Sequence, residues 1–189
     1  MTMKNLISII TLTLIFSCCS KKDVQITTST QLPQATQTGA NTAGCLVNGQ
    51  VFLPKGSSQA GPILSCFYQQ DQDGYHMGLN IADKSNSSIK AVNISLNPAQ
   101  LLDNVTYSLS EITNGTLNYA SNFGEFIIYS NINSDNRFNT NLLNQGELKI
   151  TKLNTQQKII SGTFWFDAVN TQGEIVKIRE GRFDMRYVN

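Results

Sequence analysis

From Gly44 to the end of the chain, short apolar runs alternate with turn residues, the signature of antiparallel β structure. The pattern predicts strands at 45–53, 63–69, 75–82, 89–96, 105–110, 116–120, 125–131, 146–153, 158–168 and 174–187. Three of these alternate clearly enough to assign an inner face. In 89–96 it comprises Ile89, Ala91 or Val92, Ile94 and Leu96; in 146–153, Leu148, Ile150 and Leu153. In 158–168, Ile160, Gly162, Phe164 and Phe166 share one face, sending Ile159, Ser161, Thr163 and Trp165 to the other. Turn residues that tolerate positive φ separate the runs: Lys55-Gly56-Ser57-Ser58, Gln72-Asp73-Gly74, Asn114-Gly115 and Thr171-Gln172-Gly173. One helical turn is expected at 97–102, with Asn97 as N-cap and Pro98 at the first position.

About ten strands are too many for one open sheet of this length. The fold expected is an all-β antiparallel sandwich. A closed, lipocalin-like barrel is the alternative; uneven strand lengths and irregular connections favour the sandwich. Residues 20–43 are rich in Thr, Gln and Ser with few large apolar side chains, so they read as a polar tether, and the domain is expected to span 44–189.

The start of the chain has a different character. Lys4 precedes an apolar run at 6–16, too short for the roughly 20 residues of a membrane-spanning helix and suited to a signal peptide. The run ends in Ile15-Phe16-Ser17-Cys18, which resembles the lipobox of bacterial lipoproteins. That resemblance implies removal of residues 1–17, acylation of Cys18 and a lasting membrane anchor; lipidation at Cys19 is the alternative. Loss of the leader removes Lys4 and takes the formal charge from +1 to neutral. A neutral chain with only 14% charged residues lacks the basic clusters that phosphate backbones require, so nucleic acid is not an expected partner. Its polar residues are mostly Asn, Gln, Ser and Thr, as in extracellular β proteins; such a surface also suits neutral ligands such as glycans.

Two further cysteines, Cys45 and Cys66, lie within the domain. In an exported chain an isolated pair is more often bridged than free, so a Cys45–Cys66 disulfide is expected, worth about 3 kcal/mol in the chain-entropy model. The competing reading is two buried, inert thiols.

Motifs for catalysis and metal binding are sparse. Asp71-Gln72-Asp73-Gly74 starts like a calcium loop, but the twelfth position is Ala82 where a Glu is needed, so a polar hairpin turn is the reading. His76 is the single His and nothing ties it to a cysteine. A carboxylate pair such as Glu111 with Glu125 has nothing to support it. No catalytic residue, metal site or cofactor is expected. The Asn-rich stretch 131–141 reads as a long polar loop that could bind a ligand. Trp165, Tyr68, Tyr75, Tyr107, Tyr119 and Tyr129 are assigned mainly to packing; carbohydrate recognition would need an exposed ring flanked by amide side chains. Arg182 and Asp184 share a face and are expected to pair, with Gly181 marking a bulge or a close backbone approach.

Leu32-Pro33, Ala35-Thr36, Thr38-Gly39, Asn41-Thr42 and Gly44-Cys45, running into Val47-Asn48-Gly49, resemble the start of the mature domain in a group of uncharacterised Bacteroidetes lipoproteins. Ile160-Ser161-Gly162-Thr163-Phe164 and Gly181-Arg182-Phe183-Asp184 resemble its closing strands, with Gln34 and Ala43 as departures from the pattern. The resemblance brings no activity and no site residues. It implies an outer-membrane lipoprotein facing the periplasm or the cell surface, and a segment before Cys45 partly ordered against the domain. The function expected is therefore a non-enzymatic binding or structural module with a glycan or protein partner. The alternative is a carrier of small hydrophobic ligands with a barrel cavity.

Overall fold

The structure, a computed structural model, describes residues 31–57, 61–97, 100–110, 122–129 and 136–189. Residues 1–30, with the leader, Cys18 and Cys19, lie outside them, as do Glu111, Tyr119, Asn114-Gly115, the strand expected at 116–120 and residues 131–135 of the Asn-rich stretch. The described residues are all β, in twelve strands. They are β1 (Thr42–Val47), β2 (Gln50–Phe52), β3 (Lys55–Gly56), β4 (Leu64–Gln70), β5 (Tyr75–Lys84) and β6 (Ile89–Leu96), then β7 (Thr106–Leu109), β8 (Phe123–Tyr129), β9 (Asn136–Asn139), β10 (Gly146–Asn154), β11 (Ile159–Val169) and β12 (Ile175–Arg186).

All twelve belong to one sheet, ordered β2-β1-β12-β11-β9-β8-β6-β5-β3, with β10 and β7 continuing from β11 and β4 pairing β5. Except for the parallel β3–β5 contact, the pairings are antiparallel. The link between β11 and β9 is a single pair, Val169 with Asn139, and there the sheet curls over into an open half-barrel. Its two halves face each other across one core. Met77, Leu79 and Ile81 of β5 and Val92, Ile94 and Leu96 of β6 meet Ile160, Phe164 and Phe166 of β11 and Ile178 and Phe183 of β12. Alternation therefore selected the buried face of β11 correctly, and on β6 it is Val92, not Ala91, that joins this core.

Two irregularities decide which residues reach the surface. On β12, Phe164 pairs with Gly181 but Phe166 with Ile178, so Arg179 and Glu180 together oppose Trp165. Glu180 takes φ +50°. This bulge exchanges the faces: Val176 and Ile178 point inward before it, Phe183 and Met185 after it. Gly181 lies under the ring of Phe164, where a Cβ would fall 2.4 Å from Cδ2; both readings of Gly181 hold. The second irregularity is a hairpin inside the run 45–53. Asn48 (φ +49°) and Gly49 (φ +81°) form the tight turn that Asn-Gly favours, so one expected strand is two.

No helix occurs among the described residues. At the position expected for a helical turn, the backbone N–H groups of Leu101 and Leu102 donate to the hydroxyls of Tyr68 (3.0 Å) and Tyr107 (2.9 Å). β9 falls inside the stretch read as a loop at 131–141.

The tether reading fails for residues 36–41. Asp184 is on the outward face of β12, yet only 1% exposed, because this segment is strapped across it. The Thr36 hydroxyl (2.6 Å) and the N–H groups of Thr38 (2.9 Å) and Ala40 (3.1 Å) donate to Oδ2, and the N–H of Gly39 (2.8 Å) and the Ser161 hydroxyl (2.8 Å) to Oδ1. Burial alone would raise the pKa of this carboxyl, but the donors together hold it well below the usual carboxylate range. The expected Arg182–Asp184 pair is absent: the Arg182 guanidinium contacts Glu180 instead (3.3 Å).

Candidate functional site

The outer face of β4, β5, β6 and β8 carries a row of polar residues in register. Ser65 pairs with Asn80, Asn80 with Asn93, and Asn93 with Glu125. Because the side-chain period of a strand is two, these positions all project to the same side. The row is joined by hydrogen bonds: Asn80 Nδ2 donates to Asn93 Oδ1 (2.6 Å), Asn93 Nδ2 to Glu125 Oε2 (2.7 Å), and Arg137 Nη1 reaches Glu125 Oε1 (2.8 Å). Glu125 is thus held between an amide and a guanidinium.

The next row is Phe67, Gly78, Ser95 and Phe123. The Phe67 ring lies over Gly78, where a Cβ would fall 2.2 Å from its Cε1, and remains 39% exposed. Only glycine lets the ring settle this close to the sheet. Ser65, Phe67, Gly78, Asn80, Asn93 and Ser95 line a shallow depression of about 200 Å³. An exposed ring flanked by amides is the arrangement that carbohydrate recognition requires, here built on Phe67 instead of Trp165 or a tyrosine. Strand alternation could have found it: Ser65, Phe67 and Gln69 share one face, with small or polar partners opposite.

His76 sits at the end of the same face. Its Nδ1 contacts Asn97 Oδ1 (2.8 Å) and its Nε2 contacts Asp71 Oδ1 (2.9 Å). The Asn97 amide is oriented by its Nδ2, which donates to Ser95 Oγ (2.6 Å), so both ring nitrogens face acceptors. The bond to Asn97 raises the imidazole pKa, burial opposes this, and the bond to Asp71 raises it further. Asp71 in turn is lowered, first by the N–H of Asp73 and then by His76. The Asp71–Gly74 stretch is a hairpin turn, with Asp71 N–H bonded to the Gly74 carbonyl (2.9 Å).

The remaining candidates stand apart from this face. Cys45 and Cys66 are free and buried, in place of the expected disulfide. They sit on β1 and β4, which are not neighbours in the sheet, and proximity in sequence does not bring two Cα atoms to bridging distance. Both join the core as small apolar groups, and burial pushes each thiol up to about 12. Tyr68 is buried and stacks on Tyr75 at 5.6 Å. Tyr107 braces the backbone at Gln100 and Leu102. Tyr129 lies beneath the Arg137 guanidinium (6.0 Å). Trp165 is 39% exposed on the opposite half of the sheet, covered by the Arg179 guanidinium at 5.4 Å and bonded through Nε1 to Glu147 (3.2 Å). Its neighbours are charged side chains, not amides. Among the described residues no three of His, Cys, Asp and Glu come together as a metal site would need.

No curated protein and no solved structure matches the chain. A family match runs from Met77 in β5 to Met185 in β12, so it takes in Gly78, Asn80, Asn93, Ser95, Glu125 and Asp184 and leaves out Phe67 and the strap. By this match over residues 77–185, more than half of its length, the chain belongs to the family described as a domain of unknown function (DUF6252).

Proposed function

We propose that this chain is a non-enzymatic binding module, held at the outer membrane of a bacterial cell envelope by a lipid on Cys18, and that the outer face of β4, β5 and β6 binds a neutral glycan. The carrying observation is the pairing of an exposed ring, Phe67, with the amides of Asn80 and Asn93 around one depression. A sugar offers an apolar ring face and a rim of hydroxyls that both donate and accept. Phe67 suits the first, while amides, which also donate and accept, suit the second. A rigid sheet holds the groups in place, so little ordering cost opposes binding. The anchor rests on the signal-peptide pattern and on Ser17-Cys18, and the lipoprotein resemblance of the chain supports it.

A carrier with a hollow barrel is the weaker reading, because Leu148, Ile150, Ile160, Phe166 and Ile178 are fully buried against one another where its cavity would be. Titration of the ¹⁵N-labelled chain with a panel of neutral oligosaccharides tests the glycan reading. Shifts confined to Phe67, Gly78, Asn80 and Asn93, abolished by Phe67→Ala, are expected. Silence across the panel at millimolar sugar overturns it. Mass analysis of the native N-terminal peptide, showing acyl chains on Cys18 or an unmodified thiol, decides the anchor.

A further inference from the structure

On the opposite edge of β4 the curled sheet almost closes, and the incomplete seam forms a second site. The Ala82 N–H donates to the Ile63 carbonyl (2.7 Å), which fixes the backbone groups of residues 63, 65 and 67 toward β5. Those of Leu64, Cys66 and Tyr68 therefore face the other way. There the chain beyond β12 zips onto β4 in parallel at Phe67 and Val188: Val188 N–H donates to the Cys66 carbonyl (3.1 Å) and Tyr68 N–H to the Val188 carbonyl (3.0 Å). One step further, the same ladder would bring Arg186 N–H to the Leu64 carbonyl. Instead Arg186 N–H donates to the Asn41 side-chain oxygen (2.8 Å), and the two strands part. The opening is a cleft of about 460 Å³, walled mainly by apolar groups of Pro54, Leu64, Met185 and Val188, with Asn41 and Arg186 at one side.

We propose that this slot takes one extended, uncharged polypeptide segment from a partner protein, added as a short strand on the free edge of β4. The backbone chemistry selects this occupant. The Leu64 N–H and carbonyl and the Cys66 N–H line the edge, and no described residue pairs with them. An acyl chain or other pure hydrocarbon would strip water from these groups and return nothing. A peptide backbone returns hydrogen bonds to all three, and its apolar side chains meet the apolar wall. A charged side chain against the apolar wall of Pro54, Leu64, Met185 and Val188 would be desolvated without a partner. The zipped contact at Phe67 and Val188 closes one end, so the slot admits roughly three residues at about 3.3 Å each. The wall formed by Met185 and Val188 also excludes the whole sheet edge of a second copy, leaving room for a single strand. This site is independent of the outer-face glycan reading.

The test is titration of the ¹⁵N-labelled chain with the blocked peptide acetyl-Val-Thr-Val-Thr-amide and, separately, with dodecanoate. Peptide-induced shifts at Leu64, Cys66 and Val188 are expected, with slowed hydrogen exchange at Leu64 and Cys66. An ester analogue lacking one peptide N–H should bind at least fivefold more weakly. Leu64→Pro removes an edge donor without touching the ladder to β5 and should weaken the peptide similarly; the ester analogue carries the test if that variant does not fold. Shifts at these amides with dodecanoate alone, equal binding of peptide and ester, or no response to either ligand overturns the proposal.

Discussion

The Thr36 hydroxyl donates to Asp184 Oδ2 at 2.6 Å across 148 positions of sequence. Thr36 is in a segment whose composition reads as solvated tether, and Asp184 is an acid between Phe183 and Met185, two core residues. Each explains the other. A carboxylate on the outward face of β12 accepts from three consecutive backbone N–H groups, Thr38 to Ala40, and so gives a polar segment the enthalpic reason to order that its side chains lack. Gly39 at φ +72° makes the turn around the carboxylate possible.

Asp184→Asn is expected to destabilise the domain by about 2–4 kcal/mol, because it replaces charge-assisted bonds with neutral ones and turns an amide N–H₂ toward donors. Hydrogen exchange at Thr38, Gly39 and Ala40 should rise well before the core opens. The sign of the pH effect follows from the lowered pKa of Asp184. Its stabilisation is present above the unfolded value of about 3.9 and is lost as pH falls through the folded value. Denaturation curves for the parent should therefore fall away in acid more steeply than those of the variant. Equal acid sensitivity would show that the carboxylate does not hold the strap.

Most strands could be located from alternation, because each buries one face and a period of two survives in 89–96, 146–153 and 158–168. What alternation cannot register is a change of phase. At Arg179–Glu180 the bulge adds a residue, so a strand read in one phase from Val176 and Ile178 would turn Asp184 inward, whereas it lies with Arg182 on the outward face, where an ion pair looks natural. In the folded chain that face is covered by the strap, and Arg182 turns to Glu180 instead. Asn48-Gly49 was a readable signal for the β1–β2 hairpin, hidden by the apolar residues on both sides. β3 and β9 are two and four residues long and hold no periodicity. For the candidate site, the exposed ring was legible as a requirement, but its identity was not. Phe67 is exposed because Gly78 opposite has no side chain to lift the ring or the neighbouring chain over it, and that register is set by the turn at 71–74.

His76 is the single histidine, so its Cε1–H resonance can be followed without assignment. With both ring nitrogens facing acceptors, its titration midpoint is expected above the unperturbed value of about 6.5. The corresponding stabilisation is complete below the unfolded pKa and fades as pH rises through the folded one. Asn97→Ala and Asp71→Asn should each lower the midpoint, since the bond to Asn97 raises it and Asp71 raises it through both its bond and its charge. A midpoint at or below 6.5 in the parent would mean that the ring sits neutral between its partners.

Free thiols at Cys45 and Cys66 make a simple chemical prediction. In a chain beginning at Ser20, neither should react with a thiol reagent at pH 8 until the domain unfolds, because burial holds both pKa values near 12 and blocks access. Two equivalents should then appear. Addition of a phosphine reductant should leave Tm unchanged. A drop in Tm on reduction, or fewer than two thiols after unfolding, would restore the bridge.

Gly78→Ala separates the fold from the proposed binding face. The added methyl would fall 2.2 Å from Phe67 Cε1, and the exposed ring, not the paired backbone, is the part free to move. Loss of ring packing is offset in part by the lower backbone entropy of alanine in the unfolded chain, so the net cost is expected to stay within about 1 kcal/mol. The ring, however, loses its seat between Ser65, Asn80 and Ser95 and can no longer lie along the amides. Affinity for any glycan bound by the parent should therefore drop at least tenfold while the circular dichroism spectrum and Tm barely change. Asn93→Ala should weaken binding too, but with a larger loss of stability, because it breaks the bond to Glu125 as well as the one from Asn80. A Gly78→Ala chain that binds as well as the parent would remove Phe67 from the ligand and with it the reason to place the glycan on this face.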